Sequence, residues 1–266
     1  MSASDLLAAY DAQLRAHGPD PLPPSETLER DGPLFRYSGG AGGGWVLYRD
    51  LGGIGGSELD DLIARQIAFF AERGDGFEWK YHSYDLPADL PERLLAAGFR
   101  PEDTETIVIA AVDDIAGEPE LPDDVTLREV TERADFERIA ELEQKVWGEE
   151  GQESWLPDML EGERDADPDS LTVTVVEAGD TVVCAAWIRY AKGTEFGTLW
   201  GGATLPEWRR RGIYRATVAY RANLARKRGL RYLETDASDD SNPILQRLGF
   251  VPVTTTTPYI WSPSGD

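Results

Sequence analysis

The sequence predicts an α+β protein, a mixed and mostly antiparallel sheet flanked by helices and built as two tandem halves. Three observations carry this. Strand-like runs rich in β-branched residues alternate with amphipathic helical runs, most clearly in the second half. The segment 113–124, DDIAGEPELPDD, mixes acids, prolines and glycine without apolar periodicity and reads as a linker, leaving domains at 1–112 and 125–266. The two halves also end alike: residues 94–109, LLAAGFRPEDTETIVI, align without gaps on 245–260, LQRLGFVPVTTTTPYI, at an offset of 151, sharing Leu, Gly, Phe, Pro, two Thr and the final Ile.

In chain order, Phe136, Ile139, Ala140 and Val146 share one helical face and predict a helix over 135–147. Residues 171–178 and 181–190 read as strands, joined by a two-residue hairpin at Gly179-Asp180. A strand at 196–204 leads to a helix at 213–228 whose apolar face is Ile213, Ala216, Tyr220 and Leu224, with Gly229 placed to end it. A strand at 230–236, a short helix at 243–248 and a last strand at 251–261 complete the half. In the first half, a helix followed by ERGDGFEW, within 63–79, parallels the later helix followed by RKRGLRYL.

Composition narrows the function. The net charge of -23 repels nucleic-acid phosphates over most of the surface, so a general nucleic-acid binder is not expected. No apolar run reaches the roughly 18 residues needed to span a bilayer, and the start of the chain does not read as a signal peptide, so no membrane partner is expected. A lone cysteine, Cys184, forms no intrachain disulfide and fits a reducing, cytoplasmic setting. With only His17 and His82 beside it, no metal site is expected. Between Pro206 and Leu233 lie nine basic residues and one acid, whereas the other 238 residues hold 17 basic and 48 acidic. Such an island suits a small polyanion held at one place, or a solvated cationic helix face.

The run Thr204-Leu205-Pro206-Glu207-Trp208-Arg209-Arg210-Arg211-Gly212-Ile213-Tyr214-Arg215 reads as a strand end, a tight basic turn and a helix start. That is a phosphate-binding layout, because unpaired amides of a first helical turn and the positive end of its macrodipole point at the ligand. Here the chain resembles the GNAT acetyltransferase superfamily. Arg209-x-x-Gly212-x-Tyr214 matches its Gln/Arg-x-x-Gly-x-Gly/Ala motif except that Tyr214 replaces the small residue, and Leu248-Gly249-Phe250 matches its later Leu-Gly-Phe. The resemblance covers residues 125–261. It implies the GNAT fold, acetyl-coenzyme A as cosubstrate, and transfer of its acetyl group to an amine in a ternary complex. By resemblance the amides of Arg210, Arg211, Gly212, Ile213, Tyr214 and Arg215 hold the pyrophosphate, and Arg209 belongs to the same cofactor-binding set. The strand tip Gly202-Ala203-Thr204 bonds the pantetheine arm, and the thioester lies where that strand splays from 230–236.

Two family positions are changed. Leu245 stands where the family often has a tyrosine acting as acid to the thiolate, and Thr198 where some members carry a glutamate base. The candidate carboxylates are Glu195 and Asp236, and Ser238 is a candidate to assist the thiolate, although strand-end charges and a turn serine are the plainer readings. The first half resembles a degenerate copy: Gly52-Gly53-Ile54-Gly55-Gly56 stands where the phosphate turn should be, but Ser57, Glu58, Asp60 and Asp61 follow and would repel a pyrophosphate. The expected acceptor is a small-molecule amine. The rivals are a coenzyme A-binding module without turnover and an acyltransferase on a peptide or protein amine. Acceptor identity, acyl length and oligomeric state are left open.

Overall fold

In the computed structural model, residues 1–148 and 155–263 are described. The chain opens with helix α1 (Ala3–Gln13), then strands β1 (Thr27–Asp31), β2 (Leu34–Ser38) and β3 (Gly44–Leu47), helix α2 (Gly56–Ala71), strand β4 (Phe77–His82) and helix α3 (Leu90–Ala96). Strands β5 (Arg100–Pro101) and β6 (Glu105–Ala111) end the first half, and a single helical turn, α4 (Val112–Ile115), follows. The second half runs β7 (Thr126–Val130), α5 (Arg133–Trp147), α6 (Leu156–Ala166), β8 (Leu171–Ala178), β9 (Thr181–Tyr190), β10 (Phe196–Thr204), α7 (Ile213–Lys227), β11 (Tyr232–Ala237), α8 (Asn242–Leu248) and β12 (Val251–Trp261).

All twelve strands belong to one sheet, in the order β1-β2-β3-β4-β12-β6-β11-β10-β9-β8-β7, with β5 beside β12. Among the described residues only the β3–β4 and β10–β11 pairs are parallel. Each half therefore contributes one parallel pair, and in each the pairing lasts three residues before the strands part.

The closing strands of the two halves are exchanged. β6, from the first half, pairs with β11 of the second, and β12, from the second, pairs with β4 of the first. The two exchanged strands pair with each other, Glu105 facing Thr256. These two residues are equivalent at the offset of 151 seen in the sequence, so the approximate two-fold relating the halves passes between them. Thr106 faces Ala237 as Thr257 faces Tyr81, which makes Lys80 the counterpart of Asp236 and Glu78 the counterpart of Glu234.

Alternation along the central strands gives each face its cover. Phe77 and Trp79 point into an apolar layer with Leu59, Leu62, Ile63 and Phe70 of α2 and Leu90 and Leu94 of α3. The α2 residues fall on one helical stripe, and burial of each such side chain stabilises by about 1.5–3 kcal/mol. Val108, Ala110 and Leu233 pack with Val218, Ala222 and Ala225 of α7. Ile107 and Ile109 face the other way, toward Leu6 and Tyr10 of α1. Helix α1 thus lies over the face from which Glu78, Lys80 and His82 also project.

The expected helix face at 213–228 is corrected. Ile213 and Ala216 are buried as foreseen, but the stripe continues through Thr217, Val218, Arg221, Ala222 and Ala225. Tyr220 and Leu224 lie at its margin, and the Tyr220 hydroxyl donates to Glu129 (2.8 Å). Residues 113–124 also do more than connect: Glu120 pairs with Arg215 (2.5 Å) and Asp124 with Arg211 (2.7 Å) across the start of α7.

Candidate active site

The basic turn takes its shape from two left-handed residues. After β10 ends, Pro206–Trp208 form one turn of 3-10 helix, Arg210 adopts φ +63° and Gly212 φ +83°, and α7 begins at Ile213. A Cβ at Gly212 would meet nothing nearer than the Glu120 carbonyl at 4.0 Å, so glycine is needed for its backbone conformation and leaves open space above it. No side chain caps α7 and no acid stands in its first turn. Among the described residues, the amides of Arg210, Arg211, Gly212, Ile213, Tyr214 and Arg215 donate to no acceptor. Unsatisfied amides at the positive end of a helix form an anion site that fits a pyrophosphate. Arg209 is turned back, its Nε donating to the Thr204 carbonyl (3.1 Å). The ion pairs of Arg211 and Arg215 are exposed and screened by solvent, so a phosphate can displace them.

From this turn an open fork leads inward. β10 and β11 pair from Phe196–Tyr232 to Thr198–Glu234 and then part, with Thr235 Oγ1 donating to the Leu199 carbonyl (2.8 Å) at the crotch. Beyond it β10 bulges at Gly201 and Gly202, with φ of +68° and +93°, while Ala203 and Thr204 still pair with β9 on the outer side. Among the described residues no strand lies beside the inner edge of Gly202, Ala203 and Thr204, so an extended chain can add there. A Cβ on Gly201 would lie 2.5 Å from the Trp187 ring, and one on Gly202 2.7 Å from the Tyr214 ring. Tyr214, which departs from the small residue of the motif, fills the hollow made by Gly202.

Arg221 holds this bulge from below. It is 1% exposed, and its guanidinium donates to the carbonyls of Thr217 (3.1 Å), Trp187 (3.2 Å) and Trp200 (3.1 Å). Burial lowers its pKa. The basic island of the sequence is therefore divided: part frames the turn, while Arg221 positions the strand, Arg228 pairs with Asp169, and Arg231 pairs with Glu195.

The three candidate catalytic residues do not converge. Glu195 sits before β10, at the closed end of the parallel pair. Its carboxylate accepts from Arg231 (2.8 Å) and Gln13 (3.1 Å), and the Arg231 contact holds its carboxyl below the usual range. Ser238 belongs to the turn that starts α8, its carbonyl accepting the amides of Ser241 (3.1 Å) and Asn242 (2.9 Å). Asp236 alone stands on the splayed arm of β11, two residues beyond the last paired one, with its carboxylate against the Lys80 ammonium. Leu245 is wholly buried in the core, and the hydroxyl of Thr198 is engaged by Trp200 Nε1 (2.8 Å).

Sequence reasoning missed Glu234, which lies in register with Thr198 on the next strand. It also missed Lys80, Glu78 and Glu105, brought to Asp236 by the exchanged strands. Burial first and the neighbouring Asp236 second raise Glu234 well above the carboxylate range and Glu105 to about 7. The YLETDA pattern of β11 was the available signal, since two acids at alternate positions of a central strand share one face. His82 reaches the same face: it is 4% exposed, Tyr10 Oη lies 3.0 Å from its Nε2, and burial lowers it to about 2.

In the first half the corresponding fork is shut. β3 and β4 pair from Gly44–Phe77 to Val46–Trp79, after which the Tyr48 hydroxyl sits between the Lys80 carbonyl (3.1 Å) and the Asp85 carboxylate (2.6 Å) and accepts from Trp79 Nε1 (3.2 Å). Asp85 also pairs with buried Arg15, and the first turn of α2 carries Glu58. Among the described residues no group of three or more histidine, cysteine or acidic side chains is arranged to hold a metal, and no helix is long and apolar enough to cross a membrane.

Comparison with known proteins agrees with this geometry. The family described as "Acetyltransferase (GNAT) family" matches residues 136–250. No curated protein matches the chain. A GCN5-related N-acetyltransferase from Kribbella flavida has a similar structure, with a TM-score of 0.65 at 16% identity over 97% of this chain and 93% of its own. A tandem GNAT protein from the clavulanic acid biosynthesis pathway gives 0.60 at 16% identity over 99% and 97%. A functionally unknown conserved protein from Staphylococcus epidermidis gives 0.62 at 14% over 91% and 96%.

Proposed function

We propose that the chain, whose residues 136–250 match the acetyltransferase (GNAT) family, is an acyltransferase that draws on acetyl-coenzyme A and moves its acetyl group to the nitrogen of a small-molecule amine in a ternary complex. The observation that carries this reading is the set of unfilled amides from Arg210 to Arg215 opening directly into the fork between β10 and β11. Acetyl-coenzyme A supplies a thioester carbonyl for attack. The turn holds its pyrophosphate, the inner edge at Gly202, Ala203 and Thr204 orients its arm, and Arg221 fixes the bulge. The amine nitrogen bonds to the carbonyl carbon, the carbon–sulfur bond breaks, and the thiolate takes a proton from solvent. Asp236, directly or through one water, takes the proton that the amine gives up. Holding both reactants in attack geometry supplies the larger share, about 7–11 kcal/mol, against roughly 10²–10⁴ in rate from a base.

The first half acts as a wall of the acceptor cleft and binds no coenzyme A, a reading supported by its shut fork. The lone cysteine, Cys184, wholly buried, supports a reducing cytoplasmic setting. The test is release of free thiol from acetyl-coenzyme A across a panel of amines, with calorimetry of acetyl-coenzyme A alone. One bound equivalent per chain and turnover of at least one amine are expected. Binding without turnover would favour the second reading, a coenzyme A-binding module, which the apolar Leu245 at the family's phenol position supports. No binding at all would sink both.

A further inference from the structure

We propose that the acceptor is a polyamine-like cation with more than one ammonium group, and that Glu78, Glu105 and Glu234 bind the ammonium that is not acetylated. This rests on the amine acetyltransferase reading and names its substrate class. The three carboxylates come from β4, β6 and β11, strands of both halves, and share with Asp236 the face over which α1 lies. Among the described residues none donates a hydrogen bond to Glu78, Glu105 or Glu234, although Glu234 is 6% exposed. Withdrawing a carboxylate from water without a partner is strongly unfavourable. Among the described residues the cation acting on Glu78, Glu105 and Glu234 is Lys80, whose ammonium contacts Asp236.

A second feature points to a ligand. Thr256 is 1% exposed and His82 4%, and both are unpartnered, at Oγ1 and at Nδ1 respectively. His82, Thr256 and Glu105 face one another across three adjacent strands, so the Thr256 hydroxyl lies on the face that bears the carboxylates, whereas His82 Nδ1 turns toward the Asp85 carboxylate (3.9 Å). Asp236 Oδ1 is likewise buried without a partner. Hydrogen-bond acceptors beside unpaired carboxylates suit a primary or secondary ammonium, which brings both charge and N–H donors. A divalent metal is disfavoured, since no group of three of these side chains is spaced to ligate one among the described residues.

The site should also bind with proton release. The groups facing Glu105 are Glu78, Lys80 and His82 from β4, Glu102 before β6, Glu234 and Asp236 from β11, and Tyr10 from α1. Burial and these acids keep Glu105 partly protonated near neutrality, at about 7. An incoming cation favours its ionised form, so affinity should rise as pH rises through that value.

The test is calorimetric titration of the unliganded full chain with spermidine, and separately with n-butylamine, at physiological salt and at pH 6 and 8. Spermidine should bind about tenfold or more tighter than n-butylamine, and about tenfold tighter at pH 8 than at pH 6. Glu105→Gln should lose the pH dependence and most of the preference, and Glu234→Gln the preference, with acetyl-coenzyme A affinity unchanged. Both replace an unpaired carboxylate by an amide of the same shape, so they should melt no lower than the parent protein. The control Glu58→Gln, at an exposed acid on α2, should change nothing. Equal binding of the two amines, an unaltered preference in both variants, or equal competition by magnesium chloride would overturn the proposal. Turnover of monoamines as efficiently as of spermidine would overturn it while sparing the acetyltransferase reading. Selective spermidine binding without thiol release would do the reverse.

Discussion

Gly212 is the residue on which the proposed coenzyme binding turns, because its φ of +83° aims the amides that follow it. Gly212→Val strains that conformation by about 1–2 kcal/mol and places a side chain in the open space above the turn. Acetyl-coenzyme A affinity should fall by about tenfold or more while circular dichroism keeps its native shape, and unchanged affinity in calorimetry would remove the phosphate-turn assignment. The two candidate carboxylates should separate sharply. Asp236→Asn is expected to lower kcat by roughly 10²-fold, and Glu195→Gln, whose carboxylate is tied to Arg231 and Gln13 at the closed end, to leave the rate–pH profile unaltered. Glu105 makes a prediction of opposite sign to most acids. Its folded-state pKa is raised, so its contribution to stability is full below about 4.5 and is lost as pH rises toward 7. Glu105→Gln should therefore raise the melting temperature little at pH 5 and by a few degrees at pH 8, as read by a thermal melt. The turn was legible in the sequence because every group it needs lies within a dozen consecutive residues. The carboxylates around Asp236 were not, because they lie on strands far apart in the chain.

At the scale of elements, β10 works because it is broken. The Gly201–Gly202 bulge frees its inner edge, and the hollow at Gly202 is filled by Tyr214 from the second position of α7. Gly202→Ala should cost about 1–3 kcal/mol, since its Cβ would lie 2.7 Å from that ring and φ is +93°. Tyr214→Ala should remove the steric part. The double variant should then be more stable than the sum of the two single changes allows, and strict additivity in denaturant melts would deny that the ring and the glycine share one space. The elements read in the second half were legible to within a residue or two, because β-branched runs and turn glycines mark them, whereas β7 and α6 were not read. The orientation of α7 was less so. Its buried stripe includes Arg221 and Thr217, polar residues that an apolar pattern cannot assign to a core, and Arg221 is buried because three backbone carbonyls accept its N–H hydrogen bonds.

For the whole molecule, exchange of β6 and β12 decides how the chain comes apart. Cut within 113–124, the first piece lacks the strand that pairs with β4 and the second lacks the strand that pairs with β11. Each piece expressed alone should give a poorly dispersed NMR spectrum, and the two co-expressed should elute together with native circular dichroism. An independently folded piece would contradict the exchange. The likeness of the two halves was visible in 94–109 and 245–260, but the alignment is silent on which partner each strand chooses, because pairing between strands distant in sequence leaves no local pattern. The near-equivalence of Lys80 and Asp236 has a further consequence. In an assembly of two identical chains with the same axis, both positions would carry the same residue, and two ammonium groups or two carboxylates would meet. Within a single covalent chain symmetry-related sites can hold opposite charges, so duplication in one polypeptide allows the dyad to become polar, with an ammonium on one side and a carboxylate on the other.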